Sequence, residues 1–529
     1  MTAVPGFHPL FLDYCSGSAN ARQFYLPAPP APGGQARPPA PGHWPEMVKL
    51  LMEQNPSPSP SAAAAIDALR EGAGVVVTGQ QVGLLGGPLF TPFKAATALA
   101  RARQATTAGD PHAALFWLAT EDHDFAEINH VVFPARRELL QLDYGTEPGA
   151  PLPVGGIVLE EAIAPIIDQA WELLGDSEAM DALAEAYRPG RTFAQAFADF
   201  YRKAFAAQGL LVLDASGRTA HRIGAPVLRA AIEGADELHH ALLQRNLTLQ
   251  AAGYHIQVTV GPQSSLLFLL DSNTGARLAL KRKPASPQEP DGVWQAGRQS
   301  YSTADLTGIL EAEPERISPA ALLRPVFQDF LLSTSCTVGG PAEIAYFAQS
   351  AVLFKRILGR VTPVLPRFSA TLVEPEIGDL LHRHHLTLEQ VFAETQDSLA
   401  QLLAARSLPS GGRDALAAAS GAMEAELASL LGWMQSLDAG LGRAAETSAR
   451  KMRYQMNRLR RLAANFQLQR DAALGRQAAR LSRSLYPNGV LQERLHGAAY
   501  YFARYGFALA ERITAKAEKS SPGHAAMWL

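Results

Sequence analysis

One acidic stretch, in FWLATEDHDFAEINHVVF at residues 116–133, contains the side chains best suited to chemistry in this chain. An apolar run ends at Thr120, and three carboxylates and a histidine follow without a break. Crowding like charges in this way causes electrostatic repulsion, which a bound amine or cation would offset. These groups could also act as acid and base in proton transfer. The alternative is an ion-paired surface loop. The candidate catalytic residues are His123 and Asp124, and the candidate substrate-binding residues are Glu121, Asp122 and Asn129.

A glycine-rich turn gives a second candidate site in VVVTGQQVGLLGGPLFTPFK, residues 75–94. A β-branched run precedes four glycines, after which Thr91 suits the N-cap of a helix and Pro92 its first position. A strand, a glycine turn and a helix N-terminus together often hold a phosphate or carboxylate, although a purely structural turn is the alternative. The turn matches neither the Walker nor the G-x-G-x-x-G spacing. Lys94 could stabilise developing negative charge, and the candidate binding residues are Thr78, Gln80, Gln81 and Gly87.

A third candidate lies in ALLRPVFQDFLLSTSCTVGGPAEIAYFAQ, residues 321–349, where a helix, a strand, Gly-Gly-Pro and another helix succeed one another. This layout repeats that of the first glycine turn, so two turns of one sheet could form opposed half-sites. Cys336 lies in the apolar run and is expected to be a buried small hydrophobe rather than a nucleophile. The candidate binding residues are Arg324, Gln328, Gly340 and Glu343, together with Gln263 after another apolar run.

Short apolar runs that alternate with helical patterns predict an α/β fold with a mainly parallel sheet over residues 1–375. Insertions are expected near 150–191 and 273–301, and the Pro-rich segment 27–45 is expected to be an extended connector. The predicted strands are 75–77, 114–118, 130–133, 210–213, 256–260, 266–270, 336–338 and 361–365. The predicted helices are 92–105, 160–173, 177–187, 192–207, 219–232, 235–252 and 341–358.

The chain changes character after Pro375, where strand patterns give way to leucine and alanine at helical spacing. Residues 376–482 predict an α-helical antiparallel coiled coil, and 483–529 predict a helical return to the core. Residues 443–483 carry a strong excess of arginine and lysine. This excess is typical of a solvated helix face, although it could also bind an anion or an acidic partner.

Composition excludes several functional classes. The net charge of −3 gives no overall nucleic-acid signal. Two cysteines, far apart in the chain, argue against a disulfide framework and a cysteine-based zinc site. Zinc-protease histidine spacing is absent, and His123 with His130 is the weaker alternative of a transition-metal pair, so we expect no metal centre. With neither a signal sequence nor a long apolar run, we expect a cytoplasmic protein without a membrane span.

Four motifs, in the same order, resemble the BshC family, the cysteine-adding enzymes of bacillithiol biosynthesis. They are TGQQVGLLGGPLFTPFKA, FWLATEDHDFAEINHV, LLRPVFQDFLLSTSCTVGGPAEIAYFAQ and LYPNGVLQER. The resemblance runs from about residue 70 to 506. It implies a Rossmann-like core, two connecting-peptide insertions and a long coiled coil that supports a homodimer.

The resemblance also implies a reaction that joins cysteine to the amino group of glucosaminyl-malate. Amide formation from a carboxylate is uphill in water, so we expect ATP with magnesium as the energy source and no tightly bound organic cofactor. The expected partners are cysteine, glucosaminyl-malate, a nucleotide and a second copy of the chain, with neither nucleic acid nor membrane. Two alternatives remain open, namely a nucleotidyltransferase-like enzyme with another acceptor and a non-catalytic coiled-coil scaffold.

Overall fold

The computed structural model describes residues 7–25, 42–145, 148–283 and 292–529. Most of the Pro-rich connector predicted at 27–45, and part of the insertion predicted at 273–301, therefore lie outside the described residues. The chain divides into two compact units. Unit 1 comprises Met1–Ala135, Leu140–Ala370 and Glu493–Ala525, and unit 2 comprises Arg136–Leu139, Thr371–Gln492 and Ala526–Leu529.

The strands of the described residues are short and are numbered here in chain order. They are β1 Gly74–Gln80, β2 His112–Leu118, β3 His130–Pro134, β4 Leu139–Asp143, β5 Leu211–Asp214, β6 Ser264–Leu270, β7 Arg277–Lys283, β8 Val293–Ala296, β9 Gln299–Tyr301, β10 Ile317–Pro319, β11 Cys336–Gly339, β12 Val364–Pro366, β13 Ser369–Val373 and β14 His524–Trp528.

The α-helices are more numerous, and none of the described ones is both long and apolar enough to span a bilayer. They are α1 Pro9–Ser16, α2 Ala19–Arg22, α3 Trp44–Gln54, α4 Pro60–Arg70, α5 Phe90–Thr107, α6 Phe125–Ile128, α7 Ala164–Leu174, α8 Glu178–Ala186, α9 Phe193–Ala204, α10 Arg218–Glu233, α11 Ala235–Ala251, α12 Thr303–Ala312, α13 Arg324–Leu332, α14 Pro341–Leu358, α15 Pro375–Arg383, α16 Leu388–Ala393, α17 Gln396–Arg406, α18 Ser410–Leu437, α19 Ala439–Arg470, α20 Ala472–Leu485, α21 Gln492–Leu495, α22 Ala498–Tyr505 and α23 Ala508–Glu518.

A five-stranded parallel sheet forms the centre of unit 1, in the order β12-β11-β1-β2-β5. The predicted α/β, Rossmann-like class is therefore confirmed. The strand order reverses between β1 and β11, and such a switch point leaves a crevice at the carboxyl ends of the strands. The two glycine turns follow these two strands, so they lie side by side at the carboxyl ends of the strands.

Both faces of this sheet are covered, because successive residues of a strand point to opposite sides. Phe116 packs against Phe197 and Tyr201 of α9, whereas the next residue, Trp117, meets Phe327 of α13 edge to face. All of these side chains are buried. This explains why the strands read as uninterrupted apolar runs rather than as alternating patterns.

A second sheet, antiparallel and in the order β10-β6-β7-β8-β9, contains the described part of the insertion predicted at 273–301. The strand predicted at 256–260 is wrong. The side chain of Gln349, which is buried, accepts a hydrogen bond from the Val258 amide and donates one to its carbonyl, both at 2.9 Å. The Gln349 side chain thus makes the two hydrogen bonds that a neighbouring strand would make with the backbone of Val258. The backbone groups of Val258 are therefore paired although this segment lies outside any sheet.

Polar side chains also pair with β5, the edge strand of the parallel sheet. Asn55 bonds both the amide and the carbonyl of Val212 at 2.9 Å, and the Gln54 side chain does the same with Asp214 at 2.7 Å. On the opposite edge, the Tyr14 hydroxyl donates to the carbonyl of Val364 in β12.

Unit 2 is mainly helical, in agreement with the predicted coiled coil. The long helices α18 and α19 pack against one another as an antiparallel hairpin, and α17 packs on α19 and α20. Within the hairpin Arg453 binds both Glu424 and Glu446. Several large apolar side chains of the hairpin are exposed: Leu430, Trp433, Leu437, Leu441, Met452, Tyr454, Leu459, Leu462 and Phe466.

Candidate functional site

The acidic loop leaves the carboxyl end of β2 and begins with a buried ion pair. Oε1 of Glu121 lies 2.8 Å from Nε2 of His221 on α10, although the N–H does not point straight at the oxygen. The other ring nitrogen, Nδ1, lies 3.0 Å from the carbonyl of Ile317. Two acceptors therefore face the imidazole, which favours its charged form.

Each member of this pair stabilises the charged form of the other. Burial raises the pKa of Glu121, but His221, and then Arg277 and Arg324, more than offset it, so the pKa is lowered overall. Burial lowers the pKa of His221, but Glu121 more than offsets it, so this pKa is raised. The carboxylate of Glu121 thus favours the imidazolium form of His221, and the imidazolium favours the carboxylate.

Asp122 is more open than Glu121 and faces a guanidinium. Its Oδ2 accepts a hydrogen bond from Nε2 of Gln81 at 3.1 Å and lies 3.7 Å from Nη2 of Arg324. Burial raises its pKa, and Arg324 and Arg277 overcome this, so the pKa is lowered. The side chains of Asp122 and Arg324 are each 23% exposed. The Asp122 carboxylate and the Arg324 guanidinium are thus accessible side by side. Their contact is too long to use up the hydrogen-bonding capacity of either group.

Arg277, from β7, is held by several contacts and also meets His123. Its guanidinium donates to Oγ of Ser318 and to the carbonyl of Pro319, both at 3.1 Å, and lies over the ring of Phe268. Its third contact, at 3.3 Å, is to Nδ1 of His123. Burial lowers the pKa of Arg277 to about 10. Because a guanidinium cannot accept a hydrogen bond, Nδ1 is the acceptor here and Nε2 carries the proton of the neutral ring.

Lys94 forms the second half of the site and is only 3% exposed. Its ammonium meets the carbonyl of Gly79 at 2.8 Å, Oε1 of Gln80 at 2.7 Å and Oε2 of Glu343 at 2.6 Å. Burial lowers the pKa of Lys94, and Glu343 opposes that change. Three acceptors match three ammonium protons, so Lys94 has no donor left for a ligand in this state.

Glu343 lies at the N-terminus of α14. The same Oε2 that meets Lys94 also accepts a hydrogen bond of 2.6 Å from the amide of Gly340, the N-cap residue. The carboxylate thus occupies the position at a helix N-terminus where an anionic ligand would be favoured.

The first glycine turn is held by protein groups rather than left open for an anion. The amide of Gly86 donates to the Tyr187 hydroxyl at 3.0 Å, and the amide of Gly87 donates to the carbonyl of Leu84 at 3.0 Å. The Tyr201 hydroxyl donates to the carbonyl of Gly86 at 2.8 Å. The helix begins at Phe90, so Thr91 is not its N-cap as predicted. The amides of Gly86 and Gly87 are thus paired within the protein in this state, and anion binding at this turn stays a prediction.

Two neighbouring glutamines and a tyrosine join the halves of the site. Gln80 contacts Lys94, and the next residue, Gln81, contacts Asp122. The Tyr346 phenol lies near enough to both Glu343 and Arg324 for their charges to act on its pKa, which burial raises. We take these residues as one candidate site at the carboxyl edge of β1, β2 and β11.

Several of the residues predicted for the site, one of them the candidate catalytic residue Asp124, have structural roles in this state. Thr78 is fully buried and donates across the sheet to the carbonyl of Val338 at 3.0 Å. Asp124 is exposed and caps α6 by accepting the Glu127 amide at 3.3 Å. Asn129 ends the same helix and donates to the carbonyl of Gly145 at 3.3 Å.

Two further predicted residues lie outside the contacts just described. Gln263 is exposed on a different cavity, of about 1060 Å³, beside β6 and β7. Gln328 is buried within α13. His123 and Asp124 line a separate pocket of about 410 Å³ with residues 148–152, a size suited to a small ligand.

His221, Arg277 and Tyr346 were not among the site residues predicted from the sequence. They come from α10, β7 and α14, far along the chain from the acidic loop. The available signal for His221 was its place among the apolar positions of an amphipathic helix, where an ionisable group needs a partner. Among the described residues, no group of three or more His, Cys, Asp or Glu side chains has the arrangement of a metal site.

Comparisons with known proteins agree with this architecture. Residues 3–368 match the N-terminal Rossmann-like domain of bacillithiol biosynthesis BshC, and residues 370–528 match its C-terminal coiled-coil domain. The relative from Koribacter versatilis, named "Putative cysteine ligase BshC", is 40% identical over 97% of this chain and 96% of its own length.

Two further relatives carry the same name. One, from Solibacter usitatus, is 35% identical over 91% of this chain and 88% of its own length. The other, from Symbiobacterium thermophilum, is 34% identical over 83% of this chain and 80% of its own length. With both domain models matched in order across almost the whole sequence, the chain belongs to the BshC family of bacillithiol biosynthesis.

Proposed function

We propose that this protein is a ligase that joins the carboxyl group of cysteine to the amino group of glucosaminyl-malate, with ATP and magnesium as the energy source. The family supports the pathway, and the names of the relatives support cysteine as a substrate. The structural observation that carries the proposal is the pair formed by Asp122 and Arg324. The acceptor carries an amine and two carboxylates, and this pair presents one complementary group for each kind.

In this proposal Asp122 holds the ammonium of the acceptor, because its lowered pKa keeps it a carboxylate. Arg324 binds a malate carboxylate, since a guanidinium offers two parallel donors to that group. The contact of 3.7 Å between Asp122 and Arg324 is too long for a hydrogen bond, so both can turn to a ligand at little cost.

The residues near Lys94 fit the phosphates of ATP. Oε2 of Glu343 stands between the Lys94 ammonium and the Gly340 amide, as an anionic oxygen of a ligand would. Lys94 and the N-terminus of α14 would hold the phosphates, and Glu343, once displaced, would bind the magnesium ion through its carboxylate. ATP supplies the driving force that amide formation lacks in water.

His123 is the proposed proton acceptor for the attacking amine. Ser318 and Pro319 hold Arg277 in place, so the imidazole can turn from its contact of 3.3 Å without freeing the guanidinium. Its Nδ1 then becomes available to the amine. Asp124, beside it on the same pocket, orders the loop through α6.

The test is mass spectrometry of the purified protein with ATP, magnesium, cysteine and glucosaminyl-malate, beside a reaction without cysteine. We expect a product heavier than glucosaminyl-malate by one cysteinyl residue, and the nucleotide product shows whether ADP or AMP is released. Folded protein that binds glucosaminyl-malate but forms no such product would contradict the proposal. Pyrophosphate release that does not depend on cysteine would favour the nucleotidyltransferase alternative.

Two variants connect the activity to the site. Arg324→Gln should raise the KM for glucosaminyl-malate, because it removes a charged contact to the acceptor. His123→Gln should lower kcat by about 10²–10⁴ if it acts as a general base. Arg298, exposed between β8 and β9, provides the control Arg298→Gln, which should leave both parameters unchanged.

We also propose that two copies pair through the α18–α19 hairpin. Leu441, Met452, Leu459, Leu462 and Phe466 recur at 11, 7, 3 and 4 residues, which places them along one face of α19. Phe466 is 59% exposed and Trp433 of α18 is 57% exposed. A contiguous apolar stripe of this kind on a soluble protein is typical of an interface.

A further inference from the structure

A second, polar cavity lies in unit 1, on elements that the candidate site does not use. Its volume is about 530 Å³. Its walls come from residues 55–59 before α4, the end of α8, the segment that links α8 to α9, and the last turns of α9. None of its lining residues belongs to the candidate site.

Basic side chains dominate the charge of this cavity. The lining contains Arg188, Arg191, Arg202 and Lys203, against two carboxylates, Glu185 and Asp199. The formal charge of the lining is therefore +2. Arg188 and Lys203 are exposed, and neither side chain forms a hydrogen bond or ion pair with another described residue.

One carboxylate serves two of the arginines. Asp199 contacts Arg191 through one oxygen and Arg202 through the other, and Arg202 also donates to the carbonyl of Gln54 at 2.8 Å. Burial, and then the charges of Arg188 and Arg202, lower the pKa of Arg191. Like charges are held together here at an electrostatic cost, which a bound anion would remove.

We propose that this cavity is a binding site for a small anion that carries a diphosphate group. Guanidinium groups bind phosphate oxygens through paired donors, and the two cationic side chains without a partner match a multivalent anion. Several remaining walls are apolar, from Pro56, Pro58, Ala186 and Leu210, and could accommodate the organic part of such a molecule. The volume and concavity suit a metabolite rather than a nucleic acid.

The site is also connected to the acidic loop by hydrogen bonds. Gln54, whose carbonyl accepts from Arg202, pairs through its side chain with Asp214, and Asp214 accepts a hydrogen bond of 2.6 Å from Thr120. Thr120 directly precedes Glu121. The cavity is thus a distinct site, joined to the residue before Glu121 by three hydrogen bonds.

The experiment is equilibrium dialysis of the full-length protein with ³²P-labelled pyrophosphate, without magnesium, at low and at moderate salt. The double variant Arg188→Ala/Lys203→Ala removes two exposed side chains and should keep the fold, which thermal unfolding checks. Arg298→Ala is the matched control, since it removes one exposed arginine of the same unit. The variant Lys94→Met/Arg324→Gln lacks two cations of the candidate site. It therefore shows whether pyrophosphate binds at that site instead of in the cavity.

We expect saturable binding by the wild type that weakens with salt, and at least a tenfold weaker Kd for Arg188→Ala/Lys203→Ala. Arg298→Ala and Lys94→Met/Arg324→Gln should retain it. Competition by uridine diphosphate at lower concentration than pyrophosphate would indicate that the ligand is organic, and the reverse would indicate free pyrophosphate. The proposal is overturned if the wild type binds no pyrophosphate, if the cavity variant binds as well as the wild type, or if only Lys94→Met/Arg324→Gln loses binding.

Discussion

At the scale of single residues, the site consists of charges that are matched in pairs. Glu121 faces His221, Asp122 faces Arg324, and Glu343 faces Lys94. The first and third pairs are tight, and the second is long and more open. Asp122 and Arg324 can therefore bind a ligand as they stand, whereas a ligand that binds to Lys94 must first displace Glu343.

The pair Glu121–His221 should make stability depend on pH in a defined direction. The pKa of His221 is raised above 6.5, so its contribution is complete below that value and is lost as pH rises through the folded pKa. The pKa of Glu121 is lowered below 4.5, so its contribution is present above 4.5 and is lost as pH falls through the folded pKa.

Thermal unfolding from pH 4 to 9 checks this expectation. The excess stability of the wild type over Glu121→Gln/His221→Gln should be greatest between pH 4.5 and 6.5 and should decline on both sides. A difference in Tm that is constant across this range would show that the pair does not titrate as described.

Lys94 should be more important for stability than a surface lysine. Lys94→Met leaves the acceptors on Gly79, Gln80 and Glu343 without their donor, which should cost about 3 kcal/mol in free energy of unfolding. Urea denaturation measures this loss. Because Glu343 then has no buried cation to face, Lys94→Met/Glu343→Gln should be more stable than Lys94→Met. Equal stabilities would contradict a coupled pair.

Sequence reasoning located the acidic loop and Arg324 because charged residues directly after apolar runs are visible in one stretch of chain. It could not place His221 or Arg277 beside them, since that requires the packing of α10 and of the second sheet. It also could not show the surroundings of Lys94. A lysine near a glycine turn suggests a free cation, whereas three acceptors from Gly79, Gln80 and Glu343 saturate it here.

At the scale of elements, the insertion near 150–191 is joined to the backbone of the acidic loop by hydrogen bonds. The amide of Gly155 donates to the carbonyl of Thr120 at 2.9 Å, and the amide of Val154 donates to the carbonyl of Asp122 at 2.7 Å. A Cβ atom on Gly155 would overlap both the side chain and the Cα atom of Thr120. Only glycine allows this close approach.

Gly155→Ala should therefore displace the loop without touching a charged group of the site. We expect a loss of about 1–3 kcal/mol in stability, the usual range for overpacking, together with reduced ligase activity. Gly156→Ala is the matched control, because a Cβ atom there meets nothing within 4 Å. Chemical denaturation and the mass-spectrometric assay measure the two effects, and similar behaviour of both variants would count against this support.

Helices were easier to predict than strands at this scale. The helix predicted at 341–358 has those bounds, and the one predicted at 235–252 ends one residue earlier. Helix patterns depend on neighbours along the chain, whereas strand formation depends on a partner elsewhere. The segment 256–260 reads as a strand in sequence, but a glutamine side chain supplies the hydrogen bonds to Val258.

At the scale of the whole molecule, the apolar stripe on the α18–α19 hairpin indicates how copies would assemble. If two copies pair there, Leu459→Glu/Phe466→Glu should give a monomer, because a desolvated carboxylate opposes association. Asn457→Glu, on the opposite face of α19, should leave the assembly intact. Analytical ultracentrifugation distinguishes the species, and a wild type that sediments as a monomer at all concentrations would exclude the proposal.

The side chains along β5 have a consequence for the behaviour of the protein in concentrated solution. A bare edge strand can recruit a strand from another molecule and begin aggregation. Asn55 and Gln54 occupy hydrogen-bonding groups of Val212 and Asp214 on that edge, and do so without adding a strand that could itself recruit another. These two amide side chains therefore protect the sheet from intermolecular pairing, and Asn55→Leu should yield a protein that forms β-rich aggregates on mild heating.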